Sequence, residues 1–401
     1  MPYPLNDGGS IGMHYYIEGY LNAGTSLSVF AMNTSRDHVE LEKLPAIYEK
    51  LTHFKVVDVN TDIKALGALK NILFEKSSYN INRFNQKEVH QELATFLKQH
   101  TFDIIHLDSL FVTDYIPTIR AYSDAKIVLR QHNIEFTIWE RLSEAAKNPL
   151  KKWYFNLLAQ RLKAHELKYI NQYDLVLPIS QQDAALFKSL SEKTSPIWIH
   201  PFGIQMESND EKNPASTNPT LNVEALKLYH IGAMDWLPNQ ESVSFLLEEI
   251  VPEVLKSTSK VSFHIAGRAM QEEWFNYAKD RVEIYGEVPS AAAFESDKQV
   301  LIVPLKSGGG VRIKIFQAMA QGKIVITSPI GLEGIEAKNG KEVMIAETVE
   351  DFKNAVLYLE QNPDRRIAMS KAAKQLIAEK YNAANNFKLL LQHYQSLLKS
   401  E

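Results

Sequence analysis

Residues 301–335, LIVPLKSGGGVRIKIFQAMAQGKIVITSPIGLEGI, leave the chain few ways to fold. Leu301, Ile302 and Val303 form a short apolar run that reads as a buried strand. Gly308, Gly309 and Gly310 follow, a helical pattern runs from Val311 to about Gln321, and Ile324, Val325 and Ile326 read as the next strand. Strand, glycine turn, helix and strand make a parallel βαβ unit. The turn places backbone N–H groups at the positive end of the helix dipole, which suits a phosphate. Lys314 and Gln317 lie three apart and share a helix face, and Arg312 has the length to reach the same anion from the first turn. Glycines with cations suggest a diphosphate, with Gln317 in reach of a neighbouring hydroxyl. An ordinary turn followed by two solvated cations is the plainer alternative. A Walker-type loop is excluded, because Gln317 stands where a glycine would be needed before Gly322 and Lys323, and Ile324 is neither Ser nor Thr. No G-x-G-x-x-G opens a helix.

The whole chain, 401 residues, has room for two domains or more. Its net charge of −4 supplies no basic field, so nucleic acid is not an expected partner. With no cysteine, disulfides, thiolate metal sites and thiol catalysis are excluded. No run approaches the length of apolar sequence that spans a membrane, and the opening MPYPLNDGGS lacks the basic and apolar regions of a secretory signal. A cytoplasmic location is the expectation.

Residues 1–7 read as a proline-bearing loop, Gly8 and Gly9 then precede a helical pattern over about 11–23, and a strand follows at 26–32. A glycine loop before a helix normally follows a strand itself, so the expectation is a domain lacking its leading strand because the start was placed late. Strands at 54–59, 104–107, 127–130 and 175–179 alternate with helical stretches, and Ser180 reads as the N-cap of a helix over 181–190. One long helical region, about 136–171, carries a basic and aromatic cluster, Lys151, Lys152, Trp153, Tyr154 and Phe155. Such a cluster could dock on an anionic membrane; aromatics packed inward with solvated lysines are the alternative. The polar stretch GIQMESNDEKNPASTNPTLNV reads as a linker, after which a second α/β pattern begins. The expected division is a first domain over 1–203, a linker over 204–223, a second domain over 224–380, and a last helix over 381–401 crossing back to the first. Two α/β domains of this kind suggest a ligand in a cleft at the carboxyl ends of parallel strands.

HIGAMDWLPNQESV, YGEVP and VPLKSGGGVRIKIFQAMAQGKIVITSPIGLEGI, in that order and spacing, resemble the nucleotide-binding domain of glycosyltransferase family 4. LRQHNIEFTIWERL and PYPLNDGG resemble the acceptor-side domain of the same enzymes. The resemblance implies the GT-B architecture, two Rossmann-like domains facing across a cleft. It implies transfer of a sugar from a nucleotide-sugar donor with retention, without metal or cofactor, to a glycan or lipid-linked acceptor in surface polysaccharide or glycoconjugate synthesis. Gly308, Gly309 and Gly310 with Arg312 and Lys314 would hold the donor diphosphate and offset charge growing on the leaving group. Gly286, Glu287 and Val288 would lie beside the base, His132 would face the sugar, and Gly8 and Gly9 would let the first loop approach donor or acceptor. One departure stands out: the family commonly has a Glu-x7-Glu pair, and those positions here are Gly309 and Gln317. An amide has one acceptor atom for two ribose hydroxyls where a carboxylate has two. A catalytically silent GT-B binding or scaffolding protein is the alternative this departure keeps open.

Overall fold

The structure is a computed structural model and describes residues 1–399 except 6–7, 36–37, 63–64, 76 and 206–223. All but two residues of the expected linker, 204–223, lie outside the described residues. The chain divides into two compact units, Met1–Phe202 with Ala384–Glu401, and Gly203–Ala383.

In the first unit the strands are β1 (Ser28–Thr34), β2 (His53–Val59), β3 (Ile104–Asp108), β4 (Lys126–Gln131) and β5 (Leu175–Pro178). They pair in parallel, as two sheets, β1-β2 and β3-β4-β5. Among the described residues no strand precedes the first helix, Gly8–Asn22, and none joins β1 to β3. Hydrophobic packing ties the two sheets together, since Val57 and Val59 of β2 and Leu107, Ile127 and Leu129 of β3 and β4 share one core. Nearly unbroken apolar runs such as Ile127-Val128-Leu129 suit strands covered on both faces.

Two helical expectations are corrected here. Gly8 and Gly9 belong to the first turn of a helix, not to a loop before it. That helix is held by its tyrosines, with Tyr15, Tyr16 and Tyr20 all buried, so packing overrides the poor helix propensity of glycine. The long 136–171 region is two helices, Glu135–Ala145 and Pro149–Tyr169. Pro149 pushes Asn148 out of helical backbone, and the Asn148 side chain then caps the second helix, accepting from Leu150 N at 2.9 Å and Lys151 N at 3.2 Å. Ser180 caps the next helix, Gln181–Ser189, by accepting from Asp183 N at 3.0 Å.

The last helix, Ala383–Lys399, packs within the first unit. Phe387 sits among Tyr15, Tyr16 and Tyr20, and Tyr394 shares a 3.0 Å hydroxyl contact with Tyr20. Gly19 makes room for it, because a Cβ there would lie 2.1 Å from the Phe387 ring.

The second unit holds one six-stranded parallel sheet of β6 (Leu226–Ile231), β7 (Val261–Ala266), β8 (Val282–Gly286), β9 (Val300–Val303), β10 (Ile324–Thr327) and β11 (Met344–Ile345). Their order is β11-β10-β9-β6-β7-β8, a doubly wound sheet whose direction of winding reverses between β6 and β9. The helix after β6 starts at Leu237 and carries a π turn over Leu246–Ile250 just before Pro252, whose ring cannot sit in an unperturbed helix.

Candidate functional site

In the second unit, β6 and β9 pair only at Leu228 with Val300 and Tyr229 with Leu301, then part. His230 bridges the fork: its Nδ1–H donates to the Ile302 carbonyl at 2.8 Å, and burial holds its imidazole well below the ordinary value. Loops leave both strands at the fork, 232–236 toward the helix Leu237–Phe245 and 304–312 toward the helix Ile313–Ala320. Parallel sheets bind ligands at such a reversal, outside the carboxyl ends of the strands.

The Ile313–Ala320 helix is shorter than the expected 311–321, and Arg312 is its N-cap. Gly308 and Gly310 have φ of 100° and 80°, the left-handed backbone that glycine adopts freely. Arg312 does not extend outward. Its guanidinium folds back, Nη1 donating to the carbonyls of Gly309 and, at 2.6 Å, Gly310. Ser307 braces the loop from the other side by donating to Glu241 Oε2 at 2.5 Å. Lys314 Nζ donates to the Ile231 carbonyl at 3.0 Å, which puts its ammonium at the tip of β6 in the fork. A Cβ on Gly232 would meet Asn239 Nδ2 at 3.2 Å and Lys314 Nζ at 3.4 Å, so three elements converge there. Burial, and after it the charge of Arg312, pushes Lys314 down to about 7, with Glu295 opposing. An ammonium whose charge is disfavoured by burial gains most from an anionic partner such as a phosphate. Gln317, three residues along the same helix, is exposed.

Of the expected base-side residues, Gly286 ends β8 and Glu287 and Val288 follow it, at the carboxyl end of this parallel sheet. The Gly286 carbonyl accepts from Gly267 N at 2.7 Å. Gly267 passes so close to the β6 loop that a Cβ would lie 2.0 Å from the Gly232 carbonyl oxygen. Arg268 and Asp235 join the loops after β7 and β6 by an ion pair at 3.0 Å, a link sequence reading did not find.

His132 lies in the first unit, just past β4. Its Nε2 contacts Asp108 Oδ1 at the end of β3, and the same carboxylate accepts from Arg130 Nη1 at 3.0 Å. Burial alone would raise Asp108, but Arg130 and then His132 hold it well below the usual carboxylate range. Arg130 is 3% exposed, its guanidinium stacks 4.2 Å over the Tyr16 ring, and a Cβ on Gly12 would meet its Nη2 at 2.5 Å. The first helix, which begins at Gly8 and Gly9, is thereby seated on the Asp108–Arg130–His132 cluster. Tyr16 in turn hydrogen-bonds His200 Nδ1, and burial pushes His200 down to about 3 and His106 down to about 4. Asp108 and Arg130 were missed as site residues; the available signal was a charged residue last or next to last in each of two apolar strands, IIHLD and KIVLRQ.

Residues 225–362 match the model of the family described as "Glycosyl transferases group 1". A protein of Klebsiella pneumoniae described as an uncharacterized 44.6 kDa protein in the cps region is 20% identical over 407 residues, covering 96% of this chain and 95% of that protein. Among solved structures, the fold is similar to sucrose-phosphate synthase of Thermosynechococcus elongatus, with a TM-score of 0.71, 14% identity, and coverage of 98% of this chain and 94% of that one. It is similar to Anabaena HepE in complex with UDP and glucose, with a TM-score of 0.63, 12% identity, and coverage of 97% and 96%. A glycosyltransferase from Rickettsia africae gives a TM-score of 0.64 at 14% identity, covering 100% and 98%. The chain therefore has the GT-B fold, and its second unit contains a region matching the group 1 glycosyl transferases.

Proposed function

We propose that this protein is a nucleotide-sugar-dependent glycosyltransferase of the family 4 type, which transfers its sugar with retention of configuration. The observation that carries the reading is Lys314, a desolvated ammonium held 3.0 Å from the Ile231 carbonyl at the reversal point of a doubly wound sheet. The donor diphosphate lies against Gly308, Gly309 and Gly310 with Lys314, and Arg312 turns from the loop carbonyls to the second phosphate. Both cations then offset charge on the departing nucleotide. The base lies beside Gly286, Glu287 and Val288, and Gln317 takes a ribose hydroxyl. His132, oriented by Asp108, faces the sugar. No metal or cofactor takes part. HepE, which shares the fold, has been crystallised with UDP and glucose, which favours a uridine nucleotide among donors.

The acceptor is a glycan or lipid-linked glycan in surface polysaccharide synthesis, a reading supported by the relative whose description places it in a cps region. Peripheral contact with the inner face of the membrane fits the start of the Pro149–Tyr169 helix. Leu150 is 77% and Trp153 55% exposed beside the exposed Lys151 and Lys152, while Phe155 packs against Trp139. Among the described residues no helix is long and apolar enough to cross a membrane. Co-sedimentation with anionic vesicles at low salt, lost in Trp153→Ser, is the expected result; absence of binding at low salt rejects the contact.

The decisive experiment is a thermal-shift screen of UDP, GDP, ADP and CMP sugars followed by turnover assays, each compared with Lys314→Ala. One nucleotide class stabilising the wild type but not the variant, with turnover, is expected. Binding without turnover or transfer would favour the silent GT-B reading, for which Gln317 in place of a glutamate is the favouring observation. No stabilisation by any of the four overturns the donor site.

A further inference from the structure

The helix Glu135–Ala145 begins two residues after the loop residue Asn133 and three after His132, so its first turn fixes where that loop ends. Its N-cap is Ile134, which is 1% exposed and makes no side-chain cap hydrogen bond. The orphan amides of a helix start must nonetheless be satisfied when buried. Here the acceptor comes from another element. Glu166, in the last turn of the Pro149–Tyr169 helix and 3% exposed, accepts from Glu135 N at 2.8 Å through Oε1, and the Phe136 amide also donates to it. Asn133 Nδ2 donates to the Glu135 carboxylate, which ties the loop to the same spot. A glutamate buried this deeply is costly unless it does something a packed apolar residue cannot. Burial raises Glu166 to about 8, with Glu135 adding to the rise.

We infer that Glu166 is a positioning residue: by capping the Glu135–Ala145 helix from the side, it fixes the 132–135 loop and so aims the imidazole of His132. His132 is thus restrained at both ends, its Nε2 by Asp108 on β3 and its following backbone by Glu166. The effect on turnover rests on the reading of His132 given above; the effect on loop order does not.

Glu166→Met and Glu166→Gln test the assignment. Methionine keeps the volume and removes the acceptor, and glutamine keeps one acceptor oxygen for the two amides. Histidine-selective NMR, with the His132 signal assigned through His132→Gln, reads the loop directly. A single sharp His132 signal is expected in the wild type and in Glu166→Gln, and a broadened or doubled one in Glu166→Met at an unchanged far-UV spectrum. With the nucleotide sugar found by the screen, kcat is expected to fall about tenfold or more in Glu166→Met at constant donor KM, because a misplacement near 1 Å costs up to about a hundredfold. Glutamine is expected to restore kcat to within about threefold of wild type, the retained cap being the larger part of such an interaction. An unaltered His132 signal in Glu166→Met, or equal loss in both variants, overturns the inference. If the wild type turns over no nucleotide sugar, the proposed function fails while the NMR comparison still decides the role of Glu166.

Discussion

Lys314 sits at the point where burial and function pull against each other. Its ordinary value of 10.5 is lowered to about 7 in the folded chain, chiefly by burial and next by Arg312. Between those two values the unfolded chain binds the extra proton, so this lysine lowers stability fully below pH 7 and releases that cost as pH rises toward 10.5. A bound diphosphate reverses the preference by restoring the charge. Donor binding is therefore expected to take up a proton above pH 7, and affinity to fall by up to about tenfold per pH unit there, each factor of ten being about 1.4 kcal/mol. Calorimetry in two buffers of different ionisation enthalpy measures the uptake, and Lys314→Ala is expected to abolish it together with most of the binding. Equal heats in both buffers would remove Lys314 from the anion site. Asp108 shows the opposite sign. Its folded value lies below the ordinary 3.8, so it stabilises above that pH and the contribution is lost as pH falls through the lowered range. Asp108→Asn leaves Arg130 buried without its counter-charge, and a loss on the order of 3–5 kcal/mol is expected from urea unfolding at pH 7. The gap to wild type narrows in acid, where the wild-type carboxylate is protonated as well.

The elements differ in how openly their sequence declares them. The unit β9, glycine loop, helix and β10 was legible because apolar runs and consecutive glycines are local signals. The break at 146–148 was also present in the sequence, written in Pro149, but helical periodicity on both sides masked it. The pairing of Asp108 with Arg130 and His132 was not legible. It depends on the register of β3 against β4, which sets Asp108 opposite Arg130 across 22 residues of chain. Cross-element caps such as Glu166 are hidden for the same reason. The folded-back Arg312 escaped because its length lets it reach either a ligand or its own loop, and spacing cannot choose. Backbone crowding is equally silent in sequence. Gly267 and Gly232 stand for two loops that pass with no space for a side chain. Gly267→Ala is expected to push the β6 loop off Lys314, since the neighbour at 2.0 Å is backbone and cannot swing aside. Destabilisation on the order of 1–3 kcal/mol in denaturant unfolding follows from overpacking of this kind. Donor affinity should drop in the same variant, and retention of both would show that the loops have slack.

At the scale of the molecule, the chain leaves its first unit at Phe202, builds the second, and returns at Ala384. The first unit is therefore discontinuous, and its closing helix is held by residues far apart in sequence. Phe387 is 3% exposed and meets Tyr15, Tyr16, Tyr20 and His200, while the missing side chain of Gly19 gives its ring a seat. Removing a buried aromatic of this kind costs about 3–5 kcal/mol. Phe387→Ala is expected to lower the thermal midpoint by several degrees through the first unit alone. The glycine loop and Lys314 belong to the second unit, so the nucleoside diphosphate part of the donor, without the sugar that His132 faces, acts on a different part of the chain. Distant and independent effects add. The free energy of stabilisation that a saturating nucleoside diphosphate confers should hence be the same in Phe387→Ala as in the wild type, within about 0.5 kcal/mol. Differential scanning calorimetry with and without this part of the donor makes the comparison. A markedly smaller donor effect in the variant would mean that the returning helix supports the donor site as well as the first unit, and the assignment of the two roles to separate units would fall.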